Sequence, residues 1–212
     1  MKTILSIIVI TFVLISSCKK EKNDDIVYQT TFTKDYYWFA NTTDQYAYKV
    51  NPDNYEIDVN TSHYDAYAIA PCATINFDYS VSVDCLILLD DNKKLGAAGI
   101  MYNYYNENLY TFILLYTDGY FQVVKKEGTS YTILIQSTLN NTIKKGIGQI
   151  NKIDVIQRSS SAEFKINNTL VGTLSTVKEF TSVRVGLLAC TAADPYFTNV
   201  QAVFDNYVIK KM

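Results

Sequence analysis

Histidine is all but missing from this chain: His63 is the only one in 212 residues. A serine or cysteine nucleophile normally works with an adjacent base, and His63 sits in Asn60-Thr61-Ser62-His63, between predicted strands, where it reads as a surface loop residue. With one histidine and no close cysteine pair, a structural zinc site is not expected either. Charge of one sign is also lacking, since 19 basic and 21 acidic residues leave a formal net charge of -2. Such a balance gives no reason to expect nucleic acid as a partner. No apolar run reaches the length of about 20 residues that a membrane helix needs. Beyond the first residues, nothing shows sustained helical periodicity with caps, so a helical fold is not expected.

The one pronounced apolar run, Ile4 to Ile15, has a different reading. Met1-Lys2 gives it a positive end, and Ser16, Ser17, Cys18 and two lysines follow after about a dozen residues, as in a cleaved secretory signal. The junction Leu14-Ile15-Ser16-Ser17-Cys18 resembles the lipobox of bacterial lipoproteins, with Ile15 and Ser17 departing mildly from the commonest choices. The resemblance implies that residues 1–17 are a signal peptide and that Cys18 is the lipid-modified first residue of the mature protein. Each buried CH₂ of a lipid contributes about 0.8 kcal/mol, and stable anchoring takes more than one chain, so a multiply acylated Cys18 would hold the protein at a membrane. Lys19 to Asp25 (KKEKNDD) has no apolar residue and reads as a flexible tether. Its lysines followed by acidic residues resemble the surface-export signal of Bacteroidetes lipoproteins. The expected location is the cell envelope, lipid-anchored in the outer membrane and periplasmic or surface-exposed.

Residues 26–212 then read as one domain. The chain holds 18 Tyr and 10 Phe, a skew that favours strands and suits recognition surfaces, because the tyrosine ring is apolar while its hydroxyl stays wet. Three cysteines follow Cys18, so at least one is unpaired within a monomer. A Cys72–Cys85 bridge is not expected: the segment between them reads as extended, with ends about 40 Å apart, whereas a disulfide needs α-carbons within about 7 Å. Any bridge should involve Cys190.

From Ile75 to Val83 the odd positions are apolar and the even ones polar, the mark of a half-buried strand. Ala162 to Ile166 and Thr169 to Leu174 flank Asn167-Asn168 and read as a hairpin, since asparagine tolerates positive φ. Leu109 to Tyr116 (LYTFILLY) and Tyr120 to Val124 flank a second turn at Thr117-Asp118-Gly119. LYTFILLY is apolar on both faces, so it is expected to be covered on both sides or to turn one face to a ligand. Further strands are expected at Tyr46–Val50, Tyr55–Val59, Ala66–Ala70, Gly99–Tyr104, Tyr131–Gln136, Gln149–Ile156, Ser182–Cys190 and Val200–Ile209. Many short strands separated by turns, without helices, indicate an all-β, two-sheet antiparallel sandwich.

The order LYTFILLYTDGYFQVVKKEG, IKKGIGQINKIDVI, AEFKINNTLVGTL, VRVGLLA and AVFDNYVIK resembles the concanavalin A-like lectin/glucanase jelly roll in its laminin-G-like form. The match covers residues 109–209 well and 26–108 by strand pattern only, and Asn168 stands where that family usually has glycine. The resemblance implies the fold; the same fold carries lectins, glycan-binding modules, adhesion domains and hydrolases. Laminarinase-type relatives hold their carboxylates in Glu-x-Asp-x-x-Glu, a motif absent here. A membrane-anchored, non-catalytic carbohydrate-binding or adhesion module is therefore favoured. The alternatives are a hydrolase related to 3-keto-disaccharide hydrolases and a structural partner domain of another envelope protein. Concanavalin-like sandwiches often carry one structural calcium, for which Asp205 in Phe204-Asp205-Asn206 is the candidate, with local amide capping as the rival role.

Sugar recognition combines flat aromatic faces with amides or carboxylates. Met101 to Tyr110 (MYNYYNENLY) has that chemistry at a junction of two strands, so Tyr102, Asn103, Tyr104, Tyr105 and Asn106 are the candidate ligand-facing rim. Alternation would turn Tyr102 and Tyr104 to one side and Asn103 and Tyr105 to the other unless a bulge intervenes. A second cluster, Asp35 to Trp38 (DYYW), reads as the seal where the amino-terminal strand meets the core.

Overall fold

The computed structural model describes residues 25–33, 37–62, 64–90, 96–175, 182–191 and 199–212. The signal peptide, Cys18, most of the tether, Asp35, Tyr36 and His63 lie outside the described residues. Among the described residues there are strands and no helix. The strands are β1 (Ile26–Thr30), β2 (Asn41–Thr42), β3 (Tyr46–Asn51), β4 (Asn54–Val59), β5 (Asp65–Ile69), β6 (Tyr79–Asp90), β7 (Ala97–Asn106), β8 (Leu109–Tyr116), β9 (Tyr120–Glu127), β10 (Ser130–Leu139), β11 (Asn151–Gln157), β12 (Ser161–Ile166), β13 (Thr169–Ser175), β14 (Arg184–Cys190) and β15 (Val200–Lys211).

They form two antiparallel sheets. The larger runs β13-β12-β11-β6-β15-β4-β3-β2, with β1 added alongside β15, and the smaller runs β10-β9-β8-β7-β14-β5. Strand β15 lies along β6 on one side; on the other, Val200 to Phe204 pair with β4 and Tyr207 to Lys210 with β1. Between the sheets, Val81, Val83 and Cys85 of β6, Val155 of β11 and Phe164 of β12 meet Ile113 and Leu115 of β8 and Leu187 of β14. Each such side chain contributes about 1.5–3 kcal/mol by leaving water. The expected all-β sandwich is thus the fold observed.

Several expected strands hold with shifted ends. The alternation from Ile75 becomes regular strand only at Tyr79, Ile75 making an isolated bridge to Val183. The strand then runs on to Asp90, through a continuous apolar stretch that alternation could not delimit. Asn167 and Asn168 both adopt positive φ, 51° and 67°, and form the two-residue turn between β12 and β13. Trp38 packs edge-on against Phe32 and Tyr207, and its Nε1 donates to the Tyr28 hydroxyl at 2.8 Å, which fastens the amino-terminal strand to the core. Cys72, Cys85 and Cys190 are all unpaired.

LYTFILLY forms β8 over the residues expected, with buried apolar side chains on both faces. Ile113 and Leu115 face the sandwich interior, while Tyr110, Phe112 and Leu114 join Met101, Leu188 and Cys190 in a second apolar cluster on the outer side of the smaller sheet. That outer side is concave. Its two edge strands, β10 and β5, approach each other across it, and the Tyr131 hydroxyl of β10 donates to Asp65 Oδ2 of β5 at 2.6 Å. Two glycines permit the curl: a Cβ at Gly99 would strike the Ile113 carbonyl, and one at Gly186 the Ala68 carbonyl, each on the neighbouring strand. Any larger residue at either place would force the strands apart.

Candidate functional site

The concave face carries a continuous run of five aromatic rings. Tyr67 of β5 lies 5.8 Å from Tyr104 of β7 and 5.4 Å from Tyr110 of β8, centroid to centroid. Tyr104 stacks on Tyr110 at 6.0 Å and 29°. Tyr110 meets Phe112 at 5.8 Å, and Phe112 meets Tyr131 edge-on at 6.4 Å and 79°. The Lys126 ammonium lies 5.2 Å from the centre of the Tyr110 ring and 5.7 Å from that of Tyr131, where the negative ring faces attract it.

Beside this run is a cavity of about 320 Å³. Phe112, Leu114, Val124 and Cys190 make its apolar floor, and Asp65, Gln122 and Thr191 supply polar groups. The polar groups are held in place. Thr191 Oγ1 donates to the Thr61 carbonyl at 2.7 Å, and Gln122 Oε1 accepts from the Tyr116 hydroxyl at 3.1 Å. Burial, then the nearby Asp65 charge, raises the Tyr110 phenol; burial and the Asp65 hydrogen bond raise Tyr131 likewise. Both remain neutral hydroxyls across the physiological range. Burial also pushes the Cys190 thiol well up, with Asp65 adding to it, so this cysteine is a protonated floor residue and no nucleophile. Among the described residues, Asp65 is the only carboxylate lining this cavity.

The five residues expected to form a rim do not share a surface. Tyr102 is only 2% exposed and lies in the core between the sheets, edge-on to Phe164 at 5.7 Å. Asn103, at φ 50°, sits in a bulge where the β7–β8 register shifts between Tyr102 and Asn106. The extra residue turns Tyr104 outward onto the concave face, whereas unbroken alternation would have left it on the same side as Tyr102. Tyr105 is 54% exposed, and Asn106 Oδ1 accepts from the Asn108 backbone N–H at 2.8 Å within the turn. Of the five, Tyr104 alone joins the aromatic run. Sequence reading missed Tyr67, Tyr110, Phe112, Tyr131 and Asp65; the two-faced apolarity of LYTFILLY was the signal for Tyr110 and Phe112.

Asp205 lies in a second bulge, at Asn206 with φ 53°. Its Oδ1 accepts from the Asn206 backbone N–H at 2.6 Å, and the Asn206 amide also donates to Asp84 Oδ2 at 2.8 Å. Among the described residues no three metal-ligating side chains of the His, Cys, Asp and Glu types come together. Calcium takes six to eight oxygens, and here both carboxylates are directed at the Asn206 donors. The arrangement fits a bulge cap and does not fit the calcium site expected at Asp205.

No protein-family model and no curated protein matches the sequence. Solved structures do match. The carbohydrate-binding module CBM66 from Bacillus subtilis is similar at TM-score 0.60 and 13% identity, over 82% of this chain and 96% of that one. The carbohydrate recognition domain of Emp46p in its potassium-bound form is similar at TM-score 0.58 and 11% identity, over 82% and 88%. The GlcNAcα1-4Gal releasing endo-β-galactosidase from Clostridium perfringens is similar at TM-score 0.62 and 9% identity, over 88% of this chain and 62% of that one. Identities this low establish the fold alone. The chain is a two-sheet antiparallel β-sandwich of jelly-roll type, the fold it shares with these solved structures.

Proposed function

We propose that this protein is a non-catalytic carbohydrate-binding module, held in the cell envelope by lipid on Cys18, that takes its glycan on the concave face of the smaller sheet. The observation that carries the reading is the run of five rings beside a cavity with a few fixed polar groups. Aromatic faces suit the apolar sides of sugar rings, and Asp65, Gln122 and Thr191 suit their hydroxyls. The similar solved structures that are named for carbohydrate binding or recognition support the same reading. Hydrolysis of a glycosidic bond normally uses two carboxylates, and among the described residues the cavity offers Asp65 alone, which favours binding over turnover. The lipid anchor on Cys18 would place the module at the outer membrane, on its periplasmic or its outer side.

The test is a glycan array probed with the full chain in detergent, with chromatographic assay of every bound glycan for product. Binding without product is the expected result. Product release would make the protein a hydrolase, and failure to bind any glycan would end the reading. Tyr104→Ala should weaken binding about two- to twelve-fold with folding intact, the range of one aromatic contact.

A further inference from the structure

Tyr131 is an unusual member of the aromatic run. It sits on β10, an edge strand that pairs, among the described residues, only with β9, and the register of that pairing breaks between Ile133 and Ile135 and again between Ile135 and Thr138. The residue is 50% exposed, and its ring is held over the concave face by the hydrogen bond to Asp65 and the edge contact with Phe112. On the same face, the Tyr110 hydroxyl is buried and has no hydrogen-bond partner among the described residues. Tyr110 borders the cavity through Phe112, whose ring meets both Tyr110 and Tyr131, and Lys126 lies over the rings of both tyrosines; Asp65 and Tyr131 also act on the Tyr110 hydroxyl electrostatically. An unpaired buried hydroxyl is costly, and native structures rarely leave one without a reason.

These facts fit together if Tyr131 occupies a place meant for something else. A phenol is a flat ring with one hydroxyl. It satisfies one oxygen of Asp65 and leaves Tyr110 unsatisfied. A neutral sugar ring with two adjacent hydroxyls has a similar outline and more hydrogen-bonding capacity, so it can engage Asp65 and Tyr110 together. We propose that Tyr131 stands in for the ligand in the free protein, and that a neutral sugar ring carrying a vicinal diol displaces it to bond Asp65 and Tyr110. This inference rests on the concave face being the glycan site. Asp65 and Tyr110 then determine specificity, and Tyr131 is the group that the sugar must move aside.

Two substitutions break the same hydrogen bond and should have opposite effects. Tyr131→Phe removes the competitor's hydroxyl and should tighten binding about two- to ten-fold, the worth of one modest hydrogen bond. Asp65→Ala removes the anchor the sugar needs and should weaken binding about ten-fold or more, Asp65→Asn serving as the variant of unchanged size. Calorimetric titration of the full chain in detergent would use cellobiose, laminaribiose, xylobiose and lactose as probes, with unfolding midpoints as controls for folding. In 3-fluorotyrosine-labelled protein, the Tyr131 fluorine resonance, assigned by its loss in Tyr131→Phe, should move toward its solvent-exposed position on saturation. Changes of the same sign in the Tyr131 and Asp65 variants, or a fluorine resonance that stays put at saturation, would overturn the displacement while leaving the glycan site standing. No binding of any probe by the wild type or by Tyr131→Phe would overturn both.

Discussion

Asn103 Nδ2 donates to Gln157 Oε1 at 3.0 Å, tying β7 of the smaller sheet to β11 of the larger one. The Tyr79 hydroxyl completes the link, donating to Asn103 Oδ1 at 3.0 Å and accepting from the Asn103 backbone N–H at 3.2 Å. Tyr79 is fully buried and Gln157 only 1% exposed, so each polar atom here depends on its partner. The bulge that splits the expected rim is therefore a structural joint between the sheets.

Asn103→Ala should cost about 2–4 kcal/mol, because it strands the Tyr79 and Gln157 groups and places a Cβ residue without a local hydrogen bond at positive φ. Asn103→Gly relieves the backbone and leaves the groups stranded, so it should fall between alanine and wild type in urea unfolding. Equal stability of all three would remove the joint from the account.

The tyrosines on either side of the bulge should respond very differently. Tyr102→Ala empties a core position and should cost about 3–5 kcal/mol. Tyr105→Ala, at a ring 54% exposed, should change stability by about 0.5 kcal/mol or less. Similar losses in thermal unfolding would show that the two rings share one environment after all.

Asp154 makes stability depend on pH. Burial raises its carboxyl above the ordinary aspartate range, against the opposing pull of Lys152 and Lys165. The folded carboxyl holds its proton more tightly than the unfolded one, so folding takes up a proton between the two pKa values. The stability gained is complete below the ordinary value of about 3.9 and is lost as pH rises through the folded value. Asp154→Asn should flatten that part of the pH profile and, at neutral pH, raise the thermal midpoint by about 1–3 °C. A fall at neutral pH would mean that the ion pair with Lys152, 3.7 Å long, outweighs burial.

Cys18→Ala tests the anchor independently of the sandwich. On phase separation of cell membranes in detergent, the wild type should partition with the detergent and the variant with the aqueous phase, because the acyl chains alone would hold the protein there. A variant that remains in the detergent phase would show that the lipobox reading is wrong.

Much of the fold was legible because it rests on local rules. Alternation at Tyr79, Val81 and Val83 marked one inward face, and Asn167-Asn168 marked a turn that needs positive φ. The short β1 and β2 were missed: β2 has two residues, both exposed, and β1 alternates only between exposed and half-buried, so neither leaves a strong hydrophobic trace. The candidate site was less legible, since it depends on relations that no short window contains. Asp65 and Tyr131 are 66 residues apart and belong to opposite edges of their sheet. They meet only because the sheet curls, and the curl in turn relies on Gly99 and Gly186. The bulge at Asn103 inverted the expected facing of Tyr104 for a similar reason, its support coming from Tyr79 and Gln157 on the other sheet.

The position of β15 bears on how the molecule reaches its native state. The strand nearest the carboxyl end lies inside the larger sheet, between β6 on one flank and β4 and β1 on the other. Until Val200 to Lys211 arrive, β1 and β4 have no neighbour linking them to β6, and the larger sheet exists only as separate pieces. Closing it joins residues as far apart as Thr30 and Tyr207, and such high contact order slows folding. Until β15 is in place, β4 and β6 each present an unpaired edge, so the larger sheet closes in one late step.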